Sequence, residues 1–330
     1  MKAYVLKNGT YQFDQVSSKQ LGEKEIIIQL ITAGLNHRDL KLAERVPSEG
    51  KNFILGSDGA GIIKEVGEGI TDFQVGDEVI INAGLNWYDQ TEAPPEDFEI
   101  VGVPFDGTFA EEIVMPADFV AKKPAYLTWE EAGVLSLSAL TGFRALFTQG
   151  GVTPEDTLFI PGVGSGVNSF IIKMAKAIGA RVITTSRSEE KLNEAQQLLG
   201  FDRGILTGSD WVEELEDESI DLVIESVGGL TFNRSLAVLR KGGRMVMFGS
   251  STQDETTINL REFFYGQYTL KGSTMGSREE YLALLQFIEK HQIRPVIDQV
   301  YSFNQMDEAF DYLKDQKQLG KIAIRISSEN

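Results

Sequence analysis

Two hydrophobic patterns divide the chain. Through roughly the first 120 residues, short apolar runs such as 25–31 and 77–81 are separated by glycine turns and predict a mostly β region. From Thr128 onward, helix-length amphipathic segments alternate with short buried strands, the pattern of a parallel α/β sheet. Residues 157–160 read as its first strand. After them Val167, Phe170, Ile171, Met174 and Ile178 recur at helical spacing, with Gly179 placed to end the helix. Residues 181–185 read as the second strand, and 188–199 as a helix capped by Ser188. Residues 221–224, 244–248 and 268–271 supply later strands. Residues 279–290 and 307–315 read as helices, and 321–325 as a strand able to rejoin the first region. Between Gly84 and Asp106 the pattern is irregular and acidic, as in a surface loop.

A length of 330 residues favours two domains, and 42% hydrophobic with 24% charged residues is ordinary for a folded chain. The net charge of −18 opposes nucleic acid and anionic membranes as partners. No apolar leader or membrane-length run is present, so the expectation is a cytoplasmic protein. With no cysteine and only His37 and His291, thiolate chemistry is absent and a histidine-built metal site is not expected.

The first strand leads into Pro161-Gly162-Val163-Gly164-Ser165-Gly166-Val167, and the helix follows. Gly162 and Gly164 match the first two glycines of a dinucleotide turn, while Gly166 comes one residue before the usual third. Such a turn brings backbone N–H groups and a helix N-terminus up to a pyrophosphate. Near the end of the second strand, where an NAD-selective fold carries an acid, the chain has Ser186 and Arg187, with Lys191 close behind. These suit a ribose 2′-phosphate, and the expected cofactor is NADPH.

In order along the chain, Gly56-Ser57-Asp58-Gly59-Ala60-Gly61, Phe73-Gln74-Val75-Gly76-Asp77, Gly107-Thr108-Phe109-Ala110-Glu111, Leu140-Thr141-Gly142 and Gly320-Lys321-Ile322 resemble the medium-chain dehydrogenase/reductase superfamily. The resemblance implies an α/β protein. A mostly β, GroES-like catalytic domain (1–122 and 273–330) would accompany a doubly wound, parallel-sheet Rossmann domain (123–272). Zinc-dependent members carry cysteine and histidine where this chain has Asn36 and Ser57, poor zinc ligands, and the lobe that binds structural zinc has no cysteine here. The resemblance is therefore to the zinc-free, quinone-oxidoreductase-like branch. It implies hydride transfer from NADPH to a quinone, enone or other activated carbonyl, no zinc, and a homodimer. Two alternatives stay open: a zinc-type alcohol dehydrogenase with an atypical site, and a non-catalytic NADPH-binding protein.

Without a metal, hydrogen-bond donors must meet the substrate oxygen as it gains charge. Asn36 is the first candidate through its amide, with His37 as a proton donor and Ser57 as a pocket hydroxyl. Arg38 and Asp39 read as local structure, and Trp87 and Tyr88 either as walls of the substrate pocket or as loop aromatics that pack locally. Cofactor candidates are Thr141, Gly162, Val163, Gly164, Ser165, Gly166, Val167, Ser186, Arg187 and Lys191, with Val227, Gly249 and Ser250 at two later strand ends. Lys321 joins them by the resemblance.

Overall fold

The computed structural model describes residues 1–45 and 52–327. The chain forms two compact units, Met1–Leu137 with Gly276–Asn330, and Ser138–Met275.

The first unit is built on the eleven-residue strand Glu25–Leu35 of a seven-stranded sheet. Its alternate residues Ile26, Ile28 and Leu30 have no exposed surface and join Ile63, Val79, Ile81 and Ile113 in one core. Burying each such side chain is worth roughly 1.5–3 kcal/mol. Asp58–Val66 runs antiparallel along one edge of this strand with Gly34 opposite Asp58, and Lys321–Arg325 along the other with Leu35 opposite Ile322. This register brings Asp58 and Lys321 to the same end of the central strand. There the chain turns at Asn36 into the helix His37–Arg45.

The first unit extends to Leu137, beyond the expected boundary at 122, because the helix Trp129–Gly133 lies directly on the central strand. A Cβ on Gly133 would stand 2.7 Å from Thr32 Cγ2, and one on Gly34 2.8 Å from the Gly133 carbonyl oxygen, so only glycine at both permits this approach. The segment expected as an irregular loop folds into the short strands Gly84–Leu85, Glu99–Val101 and Pro104–Phe105. Trp87 is 1% exposed there, edge-on to Phe98 and donating to Thr91 Oγ1 at 2.9 Å. Of the two readings of Trp87, local packing matches these contacts. Tyr88 packs on Phe119.

The second unit is a six-stranded, all-parallel sheet in the order Arg203–Leu206, Arg181–Ser186, Thr157–Ile160, Ile220–Glu225, Leu239–Met247, Thr269–Gly272. Numbered within the unit, that is third, second, first, fourth, fifth, sixth, the doubly wound order whose ligands bind where the sequence of strands reverses. The helix Gly166–Ile178 ends at Gly179 and Glu189–Leu199 ends at Gly200, both glycines left-handed, and Ser188 caps the second helix as expected. The strand Arg203–Leu206 and the helix Trp211–Glu214 carry no strong periodic signal.

Candidate functional site

In the first unit a buried polar cluster forms where the three strands meet. Lys321 Nζ donates to Asn36 Oδ1 at 2.5 Å, to the Leu35 carbonyl at 3.1 Å and to Asp58 Oδ2 at 3.2 Å. Asn36 Nδ2 donates to Asp58 Oδ2 at 3.0 Å and to the Gly34 carbonyl at 3.4 Å. The Leu137 N–H donates to Asp58 Oδ1 at 2.6 Å. An ammonium only donates, so the oxygen of the Asn36 amide must face Lys321. Both ends of this amide are thus engaged inside the protein, and the Asn36 N–H₂ expected to meet a substrate points at Asp58 instead. Lys321, expected beside the cofactor, spends its three N–H groups on this framework in the first unit.

Two residues along, Arg38 Nη1 donates to Ser57 Oγ at 2.6 Å and to the Val101 carbonyl at 3.0 Å, while Ser57 Oγ donates to that carbonyl at 2.6 Å. Ser57 is wholly buried, and its single proton goes to Val101. Arg38, read from sequence as local structure, therefore seats a half-buried guanidinium on Ser57.

His37 retains solvent contact but is crowded by protein atoms, and this loss of hydration, with the charges of Lys321 and Lys41, pushes its pKa down to about 4. It is neutral near pH 7, where an imidazolium donor would be scarce. Burial raises the pKa of Asp39 to about 6, against the opposing pull of Arg38, the Asn36 N–H and Lys321. Asp39 Oδ2 accepts the Asn36 N–H at 2.8 Å, and its Oδ1 is buried without a hydrogen bond.

In the second unit, Gly162 has φ +85°, a left-handed conformation that a side chain would strain. The turn is tied to the second strand by the Gly162 N–H on Thr185 Oγ1 at 3.1 Å and the Val163 N–H on the Thr185 carbonyl at 2.9 Å. Asn168 Nδ2 reaches back from the helix to the Pro161 and Gly162 carbonyls at 2.9 and 2.8 Å. Gly164 lies within the turn, Ser165 caps the helix by accepting from the Asn168 N–H, and Gly166 and Val167 open it. Their N–H groups have no partner within the helix, and its positive end suits a pyrophosphate.

Val227 Cγ2 lies 3.6 Å from where a Cβ on Gly162 would stand, so the turns after the first and fourth strands converge. Ser250, after Gly249, closes its own loop by donating to the Gln253 carbonyl at 2.7 Å and lies against Gly228. Glu225, missed from sequence, holds this arrangement from below. Its carboxylate accepts from the Val227 and Gly228 N–H groups, Thr231 Oγ1 and Ser235 Oγ. Ser186 is 6% exposed at the end of the second strand, Arg187 is exposed beside it and Lys191 lies in the first turn of the next helix. Thr141 is buried within the helix Ser136–Phe143, and its hydroxyl lies 3.7 Å from Met275 Sδ.

Residues 22–125 match the family model described as alcohol dehydrogenase GroES-like domain, and residues 166–290 that described as zinc-binding dehydrogenase. A zinc-type alcohol dehydrogenase-like protein of Schizosaccharomyces pombe is 31% identical across 98% of this chain and 99% of its own. The chain belongs to the medium-chain dehydrogenase/reductase superfamily. It is an oxidoreductase of that family. An acryloyl-coenzyme A reductase of Sulfurisphaera tokodaii is another member, 32% identical over 98% of this chain and 100% of its own. A solved NAD-dependent alcohol dehydrogenase superposes with a TM-score of 0.91 at 31% identity, covering 99% of this chain and 100% of the other.

The superfamily implies two groups, which the residues fit unequally. A nicotinamide dinucleotide fits the second unit, whose left-handed Gly162 and helix N-terminus form a turn suited to its pyrophosphate. A catalytic zinc does not fit the first. Ser57 Oγ is bonded to a guanidinium and Asn36 Oδ1 to an ammonium, so cations already occupy the oxygens that would have to bind a metal ion. Among the described residues no group of three or more His, Cys, Asp or Glu side chains could hold a metal ion.

Proposed function

We propose that this oxidoreductase uses NADPH, needs no metal ion and reduces a quinone, an enone or another activated carbonyl. The observation that carries the metal-free reading is the pair of protein cations, Arg38 on Ser57 and Lys321 on Asn36. The choice of NADPH rests on Ser186 and Arg187 at the end of the second strand, where no acid stands to hold a free ribose 2′-hydroxyl.

When bound, the nicotinamide supplies a hydride, two electrons and one hydrogen nucleus, to a substrate carbon. The carbonyl π pair moves onto oxygen, which takes a proton from water, so one substrate, one NADPH and one proton give reduced product and NADP⁺. The protein must hold that oxygen as it becomes negative. The turn from Gly162 to Val167 and the loops at Val227, Gly249 and Ser250 are assigned to the cofactor, with Thr141 at its nicotinamide end.

The acryloyl-coenzyme A reductase relative favours a particular substrate within this class. An α,β-unsaturated thioester is an activated carbonyl that accepts hydride at its β-carbon. The NAD-dependent relative favours the other cofactor, so cofactor choice needs its own measurement.

The decisive experiment is steady-state reduction of quinones, enones, aldehydes and an acryloyl thioester with NADPH or NADH, before and after chelation, with metal analysis of the same samples. Full activity without bound metal is expected, together with preference for NADPH. Zinc lost in step with activity would favour the zinc-type alternative, and NADPH binding with no turnover the non-catalytic one. Arg187→Ala should weaken NADPH more than NADH by about tenfold or more, the scale of a lost charge-assisted contact. Equal weakening would remove Arg187 from the site.

The reading includes a homodimer. The outermost strand Thr269–Gly272 is exposed along its whole length, and the helix that precedes it exposes Leu260, Phe264 and Tyr265. An unpaired strand edge beside apolar side chains is a ready docking surface. Light scattering of the wild type and of Phe264→Asp tests it, a dimer that dissociates in the variant being the expected result.

A further inference from the structure

We propose that Arg234 is a positioning residue for cofactor selection. It clamps the segment that leaves the third strand of the second unit, and that segment holds Ser186 and Arg187 where a ribose 2′-phosphate would be read. The proposal rests on the NADPH reading and names a residue, remote in sequence from the glycine turn, on which the preference depends.

Arg234 is half-buried on the helix Gly229–Val238. Thr231 and Ser235 of the same helix both donate to the buried Glu225, so the guanidinium has a fixed origin. It donates from Nη1 to the Thr207 carbonyl at 2.6 Å and from Nη2 to the Ser209 carbonyl at 2.5 Å. Its Cζ stands 3.8 Å from the centroid of the Trp211 ring, a cation over an aromatic face. That indole is 2% exposed and donates to the Leu206 carbonyl at 3.3 Å. A planar fork across the carbonyls of residues 207 and 209 fixes the path of the chain through Gly208, which a point charge could not do.

Thr207 passes this constraint to the second strand. Its N–H donates to the Ser186 carbonyl at 2.7 Å, and its hydroxyl to Thr185 Oγ1 at 3.2 Å. The Ser186 carbonyl belongs to the peptide that leads into Arg187, so its direction sets how Arg187 leaves the strand. Thr185 Oγ1 in turn accepts the Gly162 N–H at 3.1 Å. The glycine turn has further ties that do not involve Thr207, the Val163 N–H on the Thr185 carbonyl and Asn168 on the Pro161 and Gly162 carbonyls. Loss of Arg234 should therefore fall on the end of the second strand, assigned to the 2′-phosphate, more than on the turn assigned to the pyrophosphate that both cofactors carry.

The test measures dissociation constants for NADPH and NADH by cofactor fluorescence in the full-length protein. It compares wild type, Arg234→Ala, Arg234→Lys, Arg187→Ala and the double alanine variant. Arg234→Ala should bind NADPH about tenfold more weakly and NADH within about threefold of wild type, the scale of lost charge-assisted contacts. Arg234→Lys keeps the charge and the stem over Trp211 but not the fork, and should fall between. In the Arg187→Ala background, Arg234→Ala should weaken NADPH by less than about threefold more, because a residue that acts through another has little left to act on. Hydrogen exchange of the cofactor-free protein should show the Thr207 amide exchanging faster in Arg234→Ala, a readout that needs no ligand.

Equal weakening of both cofactors, a full tenfold loss in the Arg187→Ala background, or an unchanged Thr207 amide overturns the proposal. If Arg234→Ala does not fold, Arg234→Lys decides: a preference reduced by about threefold supports the proposal, and an unchanged preference overturns it. A wild type with no preference for NADPH rejects the NADPH reading and this proposal with it. A preference that Arg187→Ala loses and Arg234→Ala keeps rejects the proposal alone.

Discussion

The ammonium of Lys321 and the carboxylate of Asp58, 263 residues apart along the chain, meet at 3.2 Å with neither side chain more than 3% exposed. Removing one member of a buried, hydrogen-bonded ion pair leaves the other charge without its partner, at a cost of about 3–5 kcal/mol. Lys321→Met should therefore lower the unfolding free energy by that amount in urea titrations. Pairing it with Asp58→Asn should recover part of the loss. A single variant within about 1 kcal/mol of wild type would show that the pair is not held as described.

Asp39 gives the protein a distinctive pH response. Its folded pKa of about 6 exceeds the ordinary carboxylate value of 3.8, so the folded state binds more protons than the unfolded one between these pH values. Stability from this group is present below the unfolded pKa and is lost as pH rises through about 6. Asp39→Asn, which keeps an oxygen to accept the Asn36 N–H, should gain about 2 kcal/mol relative to wild type between pH 4.5 and pH 7.5. His37 acts in the opposite sense. Its folded pKa of about 4 lies below the ordinary 6.5, so its contribution is lost as pH falls through that window. Denaturant midpoints at several pH values, with His37→Gln as a second variant, separate the two.

Glu225 separates charge from hydrogen bonding. Glu225→Ala strips the Val227 and Gly228 N–H groups of their buried acceptor and should destabilise the second unit by about 3 kcal/mol, while also weakening dinucleotide binding. Glu225→Gln retains one oxygen for those N–H groups, and Ser235 can rotate to accept from the new amide. It should cost about 1 kcal/mol. Thermal midpoints and cofactor titration of both variants check the difference, and equal losses would refute the argument.

Gly162→Ala places a side chain at φ +85°. There is room for the methyl group, its nearest neighbour being Val227 Cγ2 at 3.6 Å, so the cost is conformational, about 1 kcal/mol. NADPH and NADH should weaken together, in contrast to Arg187→Ala, because the turn is proposed to serve the pyrophosphate that both carry. Paired titrations read this directly.

The glycine turn, the helix after it and its stop at Gly179 were legible in the sequence because each depends on residues within one turn of chain. The commitments of Asn36 and Ser57 were not. Whether an amide faces outward or inward depends on Lys321, which reaches it only through the register of the last strand with Leu35. Arg38 reads from sequence only as local structure because its partners Ser57 and the Val101 carbonyl lie 19 and 63 residues away along the chain. For Trp87 the sequence leaves pocket wall and local packing open, because an acidic, proline-bearing stretch reads as surface until Phe98 closes on the indole.

The register that sets Leu35 opposite Ile322 also has a consequence for how the protein is made. The second unit is one uninterrupted segment, so all of its strands are synthesised before the last part of the first unit. The first unit must wait, because the strand carrying Lys321 is synthesised after the entire second unit. During synthesis Asp58 therefore spends a long interval without its cation, and a nascent chain can acquire the glycine turn proposed to hold the dinucleotide well before its buried ion pair is complete.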